Sequence, residues 1–149
     1  VDSSSWGWGC VCLVGARIFM ACGQWTAAEA AEIAQSSAKA EPLGARYAVR
    51  RFVTPGEYAT LWTDHQPLVY SAPRGYSKSY YVNQFVGDIA KDYPFGTLKF
   101  AFIKGVLNSA ADMLSRGGVR PDKLCVLTWL RGLSGLGELS LSSLEEITG

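Results

Sequence analysis

Two apolar segments near the start of the chain constrain its fold more than any other feature. WGCVCLV at 8–14 and IFMACGQW at 18–25 are rich in residues that favour β-strands, and Gly-Ala-Arg at 15–17 connects them. Two strand patterns joined by so short a turn predict a hairpin. The fold is therefore expected to begin with two adjacent antiparallel strands.

Helix and strand patterns alternate after the hairpin. The Ala- and Glu-rich residues 26–37 are compatible with either a helical turn or a loop. The later elements, predicted from apolar periodicity, are a helix at 38–52, a strand at 58–64, a helix at 77–91, a strand at 97–104 and a short helix at 109–116 that Asn108 can cap. This order predicts an α/β fold in which a later strand follows a helical crossover.

The composition is that of a globular domain. Apolar residues make up 48% of the 149 residues and charged residues 18%, which argues against a disordered chain. No apolar run approaches the roughly 20 residues that cross a bilayer, and the amino terminus lacks a signal-peptide pattern. The net charge of +1 does not indicate a polyanion partner. Because the chain opens on Val1-Asp2 without Met, we expect a piece of a longer polyprotein or of a cloned product.

Four acidic residues occupy positions where a carboxylate needs a partner, since burying a lone charge is costly. They are Asp2 before the SSSWG turn, Glu41 at the start of a core-facing helical stripe, Asp64 at the end of the apolar strand LWT, and Asp112 early in the last short helix. If the two strands that carry Asp2 and Asp64 are parallel neighbours, their acids emerge at one edge of the sheet.

Four carboxylates at one edge would repel one another unless cations neutralised them. Oxygen ligands in this number suit Mg²⁺ or Mn²⁺, and two such ions about 4 Å apart serve in-line phosphoryl displacement. Each acid alone also has a structural interpretation. Asp2 could be a solvated terminal residue, and Glu41 a first-turn acid favoured by the helix dipole. Asp64 could cap the next segment, and Asp112 could pair with Arg116 at i+4. The spacing leaves both interpretations open.

Segments around all four acids resemble those of one known family. They are DSSSWGWGCVCL at 2–13, SSAKAEPLGARYAVRRF at 36–52, LWTDHQPLVY at 61–70 and FIKGVLNSAADMLSR at 102–116. In this order they resemble the ribonuclease H domain that follows reverse transcriptase in LTR-type and related retroelements. The Thr-Asp-His-x-Pro-Leu and Asn-x-x-Ala-Asp-x-Leu-Ser-Arg segments are the specific ones.

The resemblance implies a ribonuclease H-like α/β fold, with a five-stranded mixed sheet of three antiparallel and then two parallel strands, flanked by helices. It covers residues 1–117, and 118–149 are expected to be a C-terminal tail or linker of unknown role. It also implies a two-metal endonuclease using Mg²⁺, with Mn²⁺ as a substitute, that hydrolyses the RNA strand of RNA–DNA hybrids during reverse transcription. The implied catalytic and metal-binding residues are Asp2, Glu41, Asp64 and Asp112.

The implied partners are an RNA–DNA hybrid and the polymerase domain of the same polyprotein, with no membrane. The implied location is intracellular, in the cytoplasm or nucleus of a host or in a virus-like particle. No basic helical protrusion is present, so attachment to a polymerase would supply affinity for the hybrid. Candidate nucleic-acid contacts, which surface solvation explains as well, are Lys78, Asn83, Gln84, Lys104 and Arg116.

The chain departs from the family pattern in two places. KGVLN at 104–108 lacks the histidine that cellular and many retroviral relatives carry there, and Pro42 replaces the usual Leu after Glu41. We expect His65 to be a structural residue or one that supports a metal ligand, rather than a proton shuttle. Two alternatives are a non-catalytic ribonuclease H-like tether or connection module that binds nucleic acid or polymerase, and a DNA-cleaving nuclease or integrase of the same superfamily. The presence of all four acids counts against the tether.

Overall fold

The computed structural model describes residues 1–71, 79–93 and 97–133, which form five strands and six α-helices. The strands are β1 Asp2–Ser3, β2 Gly7–Val14, β3 Arg17–Gln24, β4 Ala59–Thr63 and β5 Leu98–Phe102. The helices are α1 Ala27–Gln35, α2 Ala40–Phe52, α3 Gln66–Ser71, α4 Tyr80–Asp92, α5 Ser109–Ser115 and α6 Lys123–Gly132. No helix within these ranges is long and apolar enough to cross a membrane.

The hairpin predicted at the start of the chain is confirmed. β2 and β3 pair antiparallel from Gly7 opposite Gln24 to Val14 opposite Arg17. The turn is one residue shorter than the sequence pattern indicated, because Arg17 already pairs with Val14. Gly15 has a φ of 60°, a left-handed conformation that glycine adopts without steric cost.

Within the described residues the strands form two sheets. β1, β2 and β3 make an antiparallel sheet in that order, and β4 pairs parallel with β5. The α/β class and the grouping into three antiparallel and two parallel strands agree with the prediction. Among the described residues the single five-stranded sheet is not formed, since β1 pairs with β2 and β4 pairs with β5. A hydrogen bond from the α-amino nitrogen of Val1 to the carbonyl oxygen of Trp62, at 3.0 Å, connects the two sheets.

Residues 26–37, which the sequence left open between a helical turn and a loop, contain α1. Thr26 Oγ1 accepts from the amide of Glu29 at 3.2 Å, and Glu29 Oε1 accepts from the amide of Thr26 at 2.9 Å. These reciprocal bonds satisfy two amides that would otherwise be unpaired at the start of a helix. The hydroxyl of Tyr47 donates to Glu29 Oε2 at 2.7 Å and ties α1 to α2.

Helix α2 is held between the antiparallel sheet and α4. Its predicted core-facing stripe is buried at Ala45 and Ala48. Arg46 points away from that stripe, and its Nη1 contacts Asp88 Oδ2 of α4 at 2.8 Å. Contacts with β2 on one side and α4 on the other fix the orientation of the helix that carries Glu41.

Part of the stretch expected as a tail belongs to the core. Asp122 precedes helix α6 and caps it, since its Oδ1 accepts from the amide of Cys125 at 2.8 Å. Its side chains join the cluster formed by Ile103 and Leu114. The buried residues of α6 are Val126, Leu127, Trp129 and Leu130. The core therefore includes residues beyond 117, and 134–149 lie outside the described residues.

Leu130→Ala should lower the free energy of unfolding by about 2–5 kcal/mol, because it removes buried apolar surface and leaves a cavity. Leu130 is 2% exposed. Urea denaturation measures the change in the free energy of unfolding. Leu124→Ala is the matched control on the same helix, since Leu124 is 68% exposed. It should change the free energy by less than about 0.5 kcal/mol. Equal stability of the two variants would contradict the packing of α6 on the core.

Candidate metal centre

Three of the four predicted carboxylates meet in space. Asp2 lies in β1, Glu41 lies in the first turn of α2, and Asp64 follows β4 directly. One oxygen atom from each side chain lies within 4.8 Å of the other two. We call these three residues the carboxylate cluster. Residues from three separate elements, distant in sequence, thus form one acidic centre.

One backbone amide connects two members of the cluster. The amide of Ser3 donates to Asp2 Oδ1 at 2.9 Å and to Glu41 Oε1 at 3.3 Å. Gly44, one turn after Glu41, makes this approach possible, because a Cβ there would collide with the side-chain oxygen of Ser3. The spacing between Asp2 and Glu41 therefore depends on close contact between β1 and α2.

Asp64 stands at the carboxyl edge of the parallel strand pair, where folds with parallel strands place ligand sites. The amide of Ile103 donates to the carbonyl oxygen of Thr63 at 3.1 Å and extends the pairing up to Asp64. Past β5 the chain turns at Gly105, where a Cβ would lie 3.0 Å from Asp64 Oδ2. The absence of a side chain at 105 leaves room for the Asp64 carboxylate.

Asp112 lies beside the carboxylate cluster but is not one of its three members. Its carboxyl group lies near enough to that of Asp2 to contribute to the raised pKa of the Asp2 carboxyl. Its Oδ1 also accepts from Arg116 Nε at 2.9 Å, so the i, i+4 ion pair considered from the sequence is formed. The ion pair and the contact with Asp2 coexist, and the structural interpretation of Asp112 does not exclude a role at the metal centre.

Burial and mutual repulsion change the protonation of the cluster. Burial, followed by the charges of Asp2 and Asp64, raises the pKa of Glu41 to about 9. Burial and the charge of Asp64 raise the pKa of Asp2 to about 6, and the Ser3 amide opposes this increase. Without a cation, Glu41 therefore keeps its proton at neutral pH. The centre cannot hold all of its negative charges unless a positive charge enters.

The donor set fits a hard divalent cation. Glu41 Oε2 is buried and accepts no hydrogen bond from the described residues. A buried acceptor without a donor costs about 1–3 kcal/mol, and more when it is charged. A cation bound to this oxygen would offset that cost. Ligation by carboxylate oxygen alone suits Mg²⁺ or Mn²⁺. Asp2, Glu41 and Asp64 would hold such an ion, and Asp112 is available beside Asp2.

His65, the only histidine of the chain, is half-buried next to Asp64. Burial lowers the pKa of its imidazole, and the charge of Asp64 opposes that decrease. The neutral form is therefore favoured at neutral pH. Its amide donates to Thr63 Oγ1 at 3.1 Å, which helps to turn the chain after β4. Any residue except proline could make this backbone bond, so the structural role expected for the His65 side chain stays a prediction.

The candidate nucleic-acid contacts lie in different surroundings. Asn83 and Gln84 are exposed on α4. Lys104 is exposed directly before Gly105, which contacts Asp64, and Arg116 is paired with Asp112. Lys78 lies outside the described residues. Lys104 and Arg116 are thus the two candidates that border the acidic centre.

The sequence interpretation missed how Asn108 acts. It was expected to cap α5, but its side chain makes no capping bond. Instead the side chain is fully buried, and its Nδ2 donates to the carbonyl oxygen of Val1 at 2.9 Å. The Ser3 amide was missed as well. The polar residues Asn108 and Ser109 between the apolar pairs Val-Leu and Ala-Ala were a signal for the role of Asn108. No sequence signal identifies a backbone donor.

The geometry of the acidic centre is the basis for any functional proposal. Comparisons of this chain with protein-family models, with curated proteins and with solved structures returned no match. The observations that bear on function are therefore the carboxylate cluster, the contact of Asp112 with Asp2, the raised pKa values of Asp2 and Glu41, and the unpartnered oxygen of Glu41.

Proposed function

We propose that this chain is a metal-dependent endonuclease of the ribonuclease H type, which hydrolyses the RNA strand of RNA–DNA hybrids during reverse transcription of a retroelement. The observation that carries the proposal is the convergence of Asp2, Glu41 and Asp64, with Asp112 beside Asp2. These are the four acids that the resemblance to the family singles out. They come from four different elements, so their meeting is not a consequence of nearness in sequence.

The order of elements supports the same proposal. An antiparallel hairpin, a helix bearing Glu41, a parallel strand pair and a short helix bearing Asp112 follow one another as the family pattern implies. A ribonuclease H-like fold is therefore the finer assignment that we propose within the α/β class. Asp64 and Asp112 lie in the two segments that resemble the family most specifically.

In this proposal Asp2, Glu41, Asp64 and Asp112 would hold two divalent cations, whose chemistry would be to activate a water and to stabilise the oxygen that leaves phosphorus. Hydrolysis adds water across the bond between phosphorus and the 3′-oxygen: the water oxygen bonds phosphorus, the bond to the 3′-oxygen breaks, and that oxygen takes up a proton, which leaves a 3′-hydroxyl and a 5′-phosphate. The protein contributes by positioning. The Ser3 amide orients Asp2 and Glu41, and the glycine at 105 leaves space for Asp64.

Protons compete with cations at this centre. Because the pKa of Glu41 is raised to about 9, Glu41 must release a proton before its second oxygen can bind a metal. Lys104 and Arg116 supply positive charge at the border of the centre, where a phosphate backbone would pass. With a net charge of +1, most of the affinity for a hybrid would come from an attached polymerase domain in an intracellular particle or compartment.

The test is cleavage of an end-labelled RNA–DNA hybrid in Mg²⁺ and in Mn²⁺, beside single-stranded RNA, duplex RNA and duplex DNA. We expect cleavage of the RNA strand of the hybrid alone, and none in EDTA. Binding of the hybrid without cleavage would favour the non-catalytic tether. Cleavage of duplex DNA would instead favour a DNA nuclease of the same superfamily.

A further inference from the structure

Asn108 bonds the backbone on both sides of the contact between β1, which carries Asp2, and α5, which carries Asp112. Its side chain is fully buried, and Nδ2 donates to the carbonyl oxygen of Val1 at 2.9 Å, one peptide bond before Asp2. Its own carbonyl oxygen accepts from the amide of Asp112 at 3.1 Å. A single residue thus connects the strand that carries Asp2 with the helix that carries Asp112.

A second set of hydrogen bonds joins β1 to α5 on the other side of Asp2. The side-chain oxygen of Ser4 donates to the carbonyl oxygen of Ser115. Ser115 Oγ in turn donates to the carbonyl oxygen of Asp112 at 2.7 Å. Val1 and Ser4 lie on either side of Asp2 in the chain, so α5 is tied to β1 both before and after that residue.

Stability alone does not explain an asparagine at 108. Its Oδ1 is buried and has no hydrogen-bond partner among the described residues. Such an unsatisfied acceptor costs about 1–3 kcal/mol, whereas one hydrogen bond contributes about 0.5–1.5 kcal/mol. The net contribution of the amide to folding is therefore near zero or unfavourable. What the amide does provide is a directed bond to the backbone next to Asp2.

We propose that Asn108 is a positioning residue, which bonds Val1 and Asp112 and thereby holds the Asp112 carboxylate beside Asp2 before a divalent cation arrives. The inference rests on the proposed metal-dependent function and deepens it. Removal of groups that orient metal ligands typically weakens metal affinity by about 10–100-fold. Asn108 is expected to act in this way without touching the cation or the substrate.

The test uses Mn²⁺ alone as the probe, titrated calorimetrically into the full chain. Asn108→Leu keeps the approximate volume but has no donor, and Asn108→Ser has a hydroxyl too short to reach the Val1 carbonyl. Both should raise the Mn²⁺ dissociation constant by about 10-fold or more. Val82→Ala is the control for lost stability, because Val82 is a fully buried residue of α4, a helix that carries none of the four acids. Its Mn²⁺ affinity should equal that of the wild type.

Cleavage kinetics separate positioning from a general loss of structure. For Asn108→Ser we expect a higher half-saturating Mn²⁺ concentration, and a rate at saturating Mn²⁺ that recovers towards the wild-type value. If folded Asn108 variants bind Mn²⁺ as tightly as Val82→Ala, the positioning role is overturned while the proposed function stands. If the wild-type chain binds no Mn²⁺, the metal-dependent function fails and the positioning role fails with it. If Asn108→Leu does not fold, the Mn²⁺ affinity of Asn108→Ser alone tests the positioning role.

Discussion

Asp64→Asn is expected to reduce metal-dependent cleavage of an RNA–DNA hybrid by about a thousandfold or more, since a charged ligand contributes several kcal/mol to the transition state. The variant should stay folded. Asp64 is one of three mutually repelling carboxylates, and its charge raises the pKa of both Asp2 and Glu41. Removing that charge relieves repulsion in the metal-free protein. Initial rates on an end-labelled hybrid, with a thermal unfolding curve for each protein, measure both effects.

Asp92→Asn is the matched control for this prediction. Asp92 is 53% exposed at the end of α4 and lies 3.7 Å from Arg50 in a surface ion pair. Such exposed pairs contribute little, so the control should retain wild-type cleavage and stability. Substantial cleavage by a folded Asp64→Asn protein would show that the carboxylate cluster is not the catalytic centre.

Glu41→Gln should stabilise the metal-free protein increasingly as the pH rises from about 4.5 to about 9. The pKa of Glu41 is raised from 4.5 to about 9, so between these values the folded wild-type protein holds a proton that the unfolded chain releases. Wild-type stability therefore falls across this interval, by at most about 1.4 kcal/mol per pH unit from this group. The variant has no such group and escapes that decrease. Urea unfolding in EDTA at several pH values measures the difference.

A divalent cation should reverse the ranking of the two proteins. A ligand that binds only the folded state adds about 2.7 kcal/mol at a concentration 100 times its dissociation constant. Wild-type protein should gain stability in Mn²⁺, and Glu41→Gln, which lacks one ligand charge, should gain much less. Glu57→Gln is the control, because Glu57 is exposed and hydrogen bonds to Thr54 lower the pKa of its carboxyl group. A constant difference between wild type and Glu41→Gln over this pH range would contradict the burial of Glu41.

The elements predicted most accurately are those with strong local patterns. The hairpin, α2, β4, β5 and α5 all lie within a few residues of their predicted positions, because apolar periodicity depends on neighbouring residues. Helix α3 was not predicted. It begins at Gln66, and Pro67 occupies its first turn, where the missing amide hydrogen has no helical acceptor. Helix α6 was not predicted either, because its burial depends on distant residues such as Ile103.

For the candidate site as well, the sequence determined some features and the tertiary structure determined others. The sequence alone flagged Asp2, Glu41, Asp64 and Asp112 by their positions and by the resemblance of the surrounding segments to one family, and it left a structural interpretation of each acid open. Only the tertiary structure decided that three of them meet within 4.8 Å and that Asp112 stands to one side. It also decided that Asn108 bonds Val1 rather than capping its own helix. Pattern and propensity act over a few residues, whereas charge repulsion, burial and hydrogen bonds between distant segments exist only once the chain has folded.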